Sequence, residues 1–346
     1  MHQKPLTMRD VAKAAGVHPG TVSRTLNPLT RPLVNERTAA AVDRAARRLG
    51  YSPNPIARTL KTRKSFTIGV VIPDLTNPLF PPLIRGMEGV WDGAGYTTLV
   101  ASTDGDADRE RQRVEMLVAR QVDGFVIATA ARHDEVVTEM MAAGRPVVLV
   151  NRTIQGSGAF AVVPDDRKGS TLAVEHLVAL GHRRIAHLAG PRRLSTGQLR
   201  WRGFLEAMDE HGLEVNASMV ATAEAYTESE GVTSARRLLE AEPRPTAIVA
   251  GNDLLALGAY TALAELGLSC PEDVSVIGFN DMPFADRFAP PLTTVRIPHA
   301  LIGARAAELL LERIEDPAAT PQTLLFEPTL VVRASTAVPS PPSPRP

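Results

Sequence analysis

Two sets of side chains in this 346-residue chain have the types and spacing for molecular recognition. The first is compact and basic: Pro19-Gly20-Thr21-Val22-Ser23-Arg24. Hydroxyls such as those of Thr21 and Ser23 suit phosphate oxygens, and the Arg24 guanidinium can fork onto a guanine edge. The second set is dispersed, and its members come just after short apolar runs. They are Asp74, Asn77 and Phe80; Asn151 and Arg152; Asn252 and Asp253; and Asn280 and Asp281. Polar residues leaving the carboxyl ends of parallel strands are where open α/β sheets hold ligands. Each also has a plainer reading: Asp253 and Asp281 as helix caps, Phe80 as core.

The elements that must position the first set are three short helices. Thr7 caps a helix over 8–15, with Asp10 at its third position. Gly16 turns the chain, a second helix runs over about 18–26 to Asn27-Pro28, and a third over 35–49 closes at Gly50. Val11, Ala12 and Ala15 can pack on Val17, Val22 and Leu26, which is helix-turn-helix logic, with the second helix bound for a major groove. A plain helical bundle would show the same helix–Gly–helix pattern. Charge separates the two readings. Residues 1–64 hold thirteen Lys or Arg against three acids, whereas the rest holds 25 against 35, so a net charge of zero hides a cationic head on an acidic body. That head lacks the Trp/Phe/Leu-rich face of a membrane-surface helix.

From Phe66 the pattern changes to strand–helix alternation. Near-continuous apolar runs at 68–72, 97–101, 124–128, 147–150, 185–188, 247–250 and 274–279 read as buried parallel strands. About 270 residues of this kind predict two α/β lobes. No run suits a transmembrane span, and the N-terminus does not resemble a signal peptide. Cys270 is the sole cysteine, which suits a reducing compartment. Asp104, Asp106, Asp108 and Glu115 match part of a calcium-loop template. Arg109 stands where its glycine is needed, and Asp108 reads better as a helix cap. His176, His182 and His187 do not share a helix face, so no metal is expected. No phosphate loop, nucleophile elbow or HExxH pair is present, and no cofactor or catalytic residue is expected.

The stretch from Asp10 to Asn27, DVAKAAGVHPGTVSRTLN, resembles the LacI/GalR family of bacterial transcription regulators, and the likeness runs from about Thr7 to Thr336. The family's usual Ser is His18 here, a poorer cap, and Gly20 brings no side chain to a base, which shifts the reading toward Arg24 and DNA shape. In Tyr51-Ser-Pro-Asn-Pro-Ile-Ala-Arg-Thr-Leu-Lys61, Asn54 and Pro55 can start a short helix resembling the family's hinge. By that resemblance Leu60 wedges into a minor-groove step while Arg58 and Lys61 take phosphates. Thr7, Pro19, Gly20 and Asn35 complete the expected DNA-facing set.

The resemblance also implies a body like periplasmic sugar-binding proteins, two Rossmann-like lobes with an effector between them. It adds Thr196 and Arg200, and Tyr226 at an aromatic position, to Asp74, Asn77, Phe80, Asn151, Arg152, Asn252, Asn280 and Asp281. Arg200 and Asn252 are the first choices. The implied organisation is a helix-turn-helix domain at 1–50, hinge and linker at 51–65, an N-terminal lobe of 66–164 and 295–325, a C-terminal lobe of 165–294 and 326–338, and a disordered tail at 339–346. The implied activity is that of a cytoplasmic, nucleoid-associated repressor. It would bind a palindromic double-stranded operator as a homodimer, without a membrane, under control of a small molecule, by family habit a sugar or sugar derivative. A periplasmic-type transport component is the alternative. An α/β enzyme ranks last.

Overall fold

The computed structural model describes residues 6–26, 30–51 and 64–340. Its N-terminal module holds α1 (Met8–Ala15), α2 (Pro19–Thr25) and α3 (Glu36–Leu49). Val11, Ala12, Val22, Val42, Ala45 and Ala46 form its core. Gly16 takes φ 67° and its N–H returns to the Ala12 carbonyl, a left-handed step that a side chain would resist.

Two six-stranded sheets form the body. In the first, β1 (Thr67–Ile72), β2 (Thr97–Ser102), β3 (Gly124–Ile127), β4 (Val147–Val150), β5 (Phe160–Pro164) and β11 (Thr323–Phe326) lie in the order β11-β5-β4-β3-β1-β2. All of its pairs are parallel. In the second, β6 (Ile185–Ala189), β7 (Val220–Thr222), β8 (Ala247–Ala250), β9 (Ser275–Asn280), β10 (Thr293–Arg296) and β12 (Thr329–Val331) lie in the order β12-β10-β9-β8-β6-β7. There only β12 runs antiparallel.

Helices flank both sheets. The first lobe has α4 (Phe80–Ala94), α5 (Ala107–Ala119) and α6 (Glu135–Ala142), and it is completed by α11 (His299–Glu315). The second has α7 (Asp166–Ala179), α8 (Ser195–Glu210), α9 (Glu228–Leu239) and α10 (Asp253–Glu265). One apolar cluster runs through both lobes, from Ile68, Trp91 and Val126 to Ile185, Phe204 and Phe279. α4 and α11 cross backbone to backbone. A Cβ on Gly303 would lie 2.0 Å from the Leu83 carbonyl oxygen, and one on Gly86 2.1 Å from that of Ala300.

The sheets adjust several expectations. β10 continues through Val295 and Arg296, paired with Phe279 and Asn280, so these two residues belong to the second sheet. Phe326 pairs with Pro164 and belongs to the first. The chain therefore recrosses one or two residues later than the expected boundaries. β5, β7, β10, β11 and β12 were not among the expected strands. Helix α5 is capped by Asp106, whose Oδ1 accepts from Arg109 N at 2.7 Å, and not by Asp108, which lies in the first turn. Of the expected tail, Pro339 and Ser340 are described, and Ser340 Oγ donates to the Glu272 carbonyl at 2.7 Å. Residues 341–346 lie outside the described residues.

Candidate functional site

The helical module builds a presentable α2. Thr7 donates from both its N–H and its hydroxyl to Asp10 Oδ2, at 2.8 and 2.7 Å, and so fixes the start of α1. His18, expected to be a weak cap, holds the start of α2: its Nδ1 accepts from Gly20 N at 3.1 Å. Val22 is fully buried, and Thr25, only 2% exposed, donates back to the Thr21 carbonyl. These two fasten the inner face, while Pro19, Gly20, Thr21 and Ser23 are half-buried and Arg24 is exposed. Asn35 caps α3 by accepting from Arg37 N at 2.9 Å, and Arg31 bridges to Asp43 at 2.8 Å. Asn54, Arg58, Leu60 and Lys61 lie outside the described residues.

In the body, a cavity of about 680 Å³ opens between the lobes at the carboxyl ends of the first sheet. That volume falls in the range of small-molecule sites. Of the expected effector residues, Asp74, Asn77, Arg152 and Tyr226 line it. Asp74 Oδ1 accepts from the Thr76 N–H and hydroxyl, and Asn77 Oδ1 accepts from Leu79 N. Arg152 is buried, donates from Nη1 to the Thr129 carbonyl at 3.0 Å, and leaves Nε without a partner. Burial pushes its guanidinium down to about 10, so it stays charged at neutral pH.

The remaining effector candidates do not line this cavity. Arg200, one of the two first choices, is 3% exposed and already occupied. Its Nε donates to Asp166 Oδ1 at 2.7 Å, Nη1 to the Gly251 carbonyl at 2.5 Å and Nη2 to Asn280 Oδ1 at 3.5 Å, while its plane lies over Phe279. Asn252, the other, caps α10 by accepting from Leu255 N at 2.8 Å. Thr196 accepts from the Tyr226 hydroxyl at 3.3 Å, which ties this buried network to the cavity wall. Phe80 is core, 2% exposed. Asn151 is buried with φ 62°. Asp281 is not a cap: it accepts from Arg296 at 2.7 Å and Arg333 at 2.6 Å. Asp253 accepts from the Thr294 hydroxyl and from Met282 N, and burial raises its carboxyl to about 7.

Several lining residues were not anticipated. Glu110, on the first turns of α5, accepts from the Thr129 hydroxyl, and burial pushes its carboxyl up to about 7. Asp134 caps α6, accepting from Val137 N at 3.0 Å, and Arg193 enters from the second lobe. Two signals were available. Thr103 and Thr129 follow strands as Asp74 and Asn151 do, and Asp104 and Asp108 belong to the acidic run set aside as a calcium loop. The three histidines go separate ways: His176 meets Thr336, His182 meets Thr246 and Ala337, and His187 meets Val249.

A helix-turn-helix module joined to a two-lobed α/β body with an interlobe cavity defines a class of ligand-responsive DNA-binding proteins. Comparison with known proteins narrows it. Residues 7–54 match the family described as bacterial regulatory proteins, lacI family, and residues 174–336 match the periplasmic binding protein-like domain. The ribose operon repressor of Escherichia coli (strain K12) is 33% identical over 332 residues, covering 95% of this chain and 99% of that protein. The HTH-type transcriptional repressor PurR of Vibrio vulnificus (strain CMCP6) is 35% identical over 329 residues, covering 94% and 97%. Among solved structures, the lac repressor dimer bound to operator and the anti-inducer ONPF has a TM-score of 0.83 at 28% identity, covering 96% of this chain and all of that one. A complex of the transcriptional regulator CelR with cellobiose has a TM-score of 0.73 at 31% identity, covering 95% and 99%. The chain belongs to the lacI family of bacterial regulatory proteins.

Proposed function

We propose that this protein is a transcriptional repressor that binds a palindromic operator as a homodimer and is controlled by a small polyhydroxylated effector in the interlobe cavity. The observation that carries the reading is the union, in one chain, of a basic helix-turn-helix exposing Arg24 on α2 with a cavity walled by both lobes. The relatives support it: a ribose operon repressor, a PurR repressor, and a lac repressor dimer on its operator. On this reading the protein is not an enzyme, and it works in the cytoplasm on the nucleoid. On this proposal effector binding changes the angle between the lobes, and two 51–62 segments, nearly all outside the described residues, fold or melt together on the minor groove. Only a difference in effector affinity between those two states drives the change.

The test is selection of duplexes from a randomised pool by the purified protein at near-physiological salt, where non-specific attraction to a cationic head is weakened. Enrichment of an inverted repeat with a fixed centre is the expected result. If no site is enriched, either alone or with a panel of sugars and purines added, the repressor reading fails.

A further inference from the structure

The cavity carries a marked imbalance of charge. Its first-lobe wall presents the carboxyl groups of Asp74, Asp104, Asp108, Glu110, Asp134 and Glu135. Against these stand Arg111, Arg152 and, from the second lobe, Arg193. Arg111 is already spent on a two-pronged bridge to Glu139, at 2.7 and 3.1 Å, and Arg193 donates to the Glu224 carbonyl at 2.8 Å. Asp104 in turn is paired with Arg109. The Glu224 carbonyl is neutral, so Arg193 keeps its charge, and Glu110, raised by burial to about 7, is only partly ionised. Asp74, Asp108, Asp134 and Glu135 against Arg152 and Arg193 still leave an excess of two negative charges.

Helix ends sharpen the imbalance. The amino termini of α5 and α6 face this cavity, and such termini are ready-made sites for phosphate or carboxylate. Here both are filled from within: Asp106 Oδ1 takes Arg109 N, and Asp134 Oδ1 takes Val137 N. Asp108 and Glu135 add further acids in the same first turns. An incoming anion would have to displace these carboxylates or lie beside them.

One group on this wall asks for an acceptor. Arg152 is more than nine-tenths buried, lines the cavity, and has Nε unpartnered, with one donor committed to the Thr129 carbonyl. A hydroxyl or ring oxygen satisfies such a donor without adding charge, and the same hydroxyl can donate to a carboxylate like that of Glu110. Vicinal hydroxyls meet both demands.

Resting on the polyol-effector reading, we infer that the cavity selects its ligand by charge, taking neutral or amine-bearing polyols and rejecting their phosphorylated or carboxylated counterparts. Arg152 and Glu110 recognise a hydroxyl pair, while the carboxylates at the starts of α5 and α6 repel anions and tolerate an ammonium group.

The experiment uses the full chain in low salt. Thermal shift and then calorimetry are run on matched series: ribose with ribose 5-phosphate; glucose with glucosamine, glucuronate and glucose 6-phosphate; cellobiose with cellobionate. Within any series that binds, the neutral or amino member is expected to bind at least about tenfold more tightly than the anion, a gap of ~1.4 kcal/mol. The double variant D108N/E135Q, changed at two surface carboxylates, is expected to narrow that gap severalfold, and added salt to narrow it further. An anionic member that binds as tightly as its neutral parent overturns the charge rule while leaving the polyol reading standing. A gap that D108N/E135Q leaves unchanged also overturns it. Binding by no member of any series rejects the polyol reading, and the charge rule with it.

Discussion

Replacing Arg200 by Met tests whether the buried ion pair behind the cavity holds the second lobe together. The Arg200 and Asp166 side chains are 4% and 2% exposed, and the carboxylate accepts from Nε at 2.7 Å. Burial holds the Asp166 carboxyl above its ordinary range even with the guanidinium present. R200M fills much of the volume but strands a carboxylate away from water, and breaking a buried pair in this way costs about 3–5 kcal/mol. That is a large part of the ~5–15 kcal/mol that stabilises a typical domain. At a guanidinium m-value of ~4 kcal/mol/M, the midpoint falls by about 1 M. The two tryptophans divide the readout, since Trp201 lies on α8 of the second lobe and Trp91 on α4 of the first.

The sign with pH follows from linkage. A carboxyl whose folded pKa is raised contributes stability that is complete below its unfolded pKa and lost as pH rises through the folded one. The R200M deficit should therefore shrink as pH falls from 7.5 toward 5. The double variant D166N/R200M should lose less than the sum of the two singles, by ~1–3 kcal/mol. An R200M protein within ~1 kcal/mol of wild type at pH 7.5, or a deficit that ignores pH, would refute the reasoning. Because Arg200 is so committed, loss of effector response in R200A reports on ligand contact only if the folded fraction is measured alongside.

Other outcomes follow from the same structure. G303A should destabilise by more than ~2 kcal/mol in thermal or denaturant unfolding, because its Cβ meets the rigid Leu83 backbone; a neutral G303A would mean that α4 and α11 can slide apart. Burial lowers His187 and His299 to about 4, so the stability they contribute is complete above ~6.5 and lost as pH falls toward 4, on the order of 3 kcal/mol each. H187F, set in the Trp201–Phe204 stack, should remove its share of that acid loss, as read from unfolding at pH 7.5 and 4.5. R24A should weaken operator binding by ~1–3 kcal/mol and relax one base position, as measured by mobility shift on mutated operators. L60A should weaken operator binding while leaving effector affinity unchanged, and equal operator affinity would reject the wedge role.

The fold was readable where period and punctuation agree. The three N-terminal helices follow from Thr7, Gly16 and Gly50, and all seven apolar runs chosen as strands are strands. Three of the five strands that escaped were short or exposed, whereas β5 is fully buried and β10 opens with two buried threonines. β7 and β12 have three residues each, and β11 alternates exposed and half-buried positions at a sheet edge, so none reads as a buried apolar run. The site was less legible for a different reason. Position after a strand identifies residues near the cavity, but it does not say which side chains the protein needs for itself. Asn252 is consumed as a cap, Arg200 by Asp166, and Asp281 by two arginines. Arg152, not among the first choices, lines the cavity and keeps an unpartnered donor. Glu110 lies on a helix, where the strand-end rule does not look.

The three crossings between lobes also bear on how the chain is made. Helix α11 packs on α4 and covers β3, β4 and β5, yet it begins at His299, whereas the strands it covers are complete by Pro164; the edge strand β11 follows later still. On the ribosome, roughly 130 residues of the second lobe emerge in between, a wait of ~7–27 s at ~5–20 residues per second. During that interval the nascent first lobe carries an open apolar face around Leu83, Met87 and Trp91. Its completion waits on translation of the second lobe, which makes the order of synthesis, as well as the sequence, a determinant of yield.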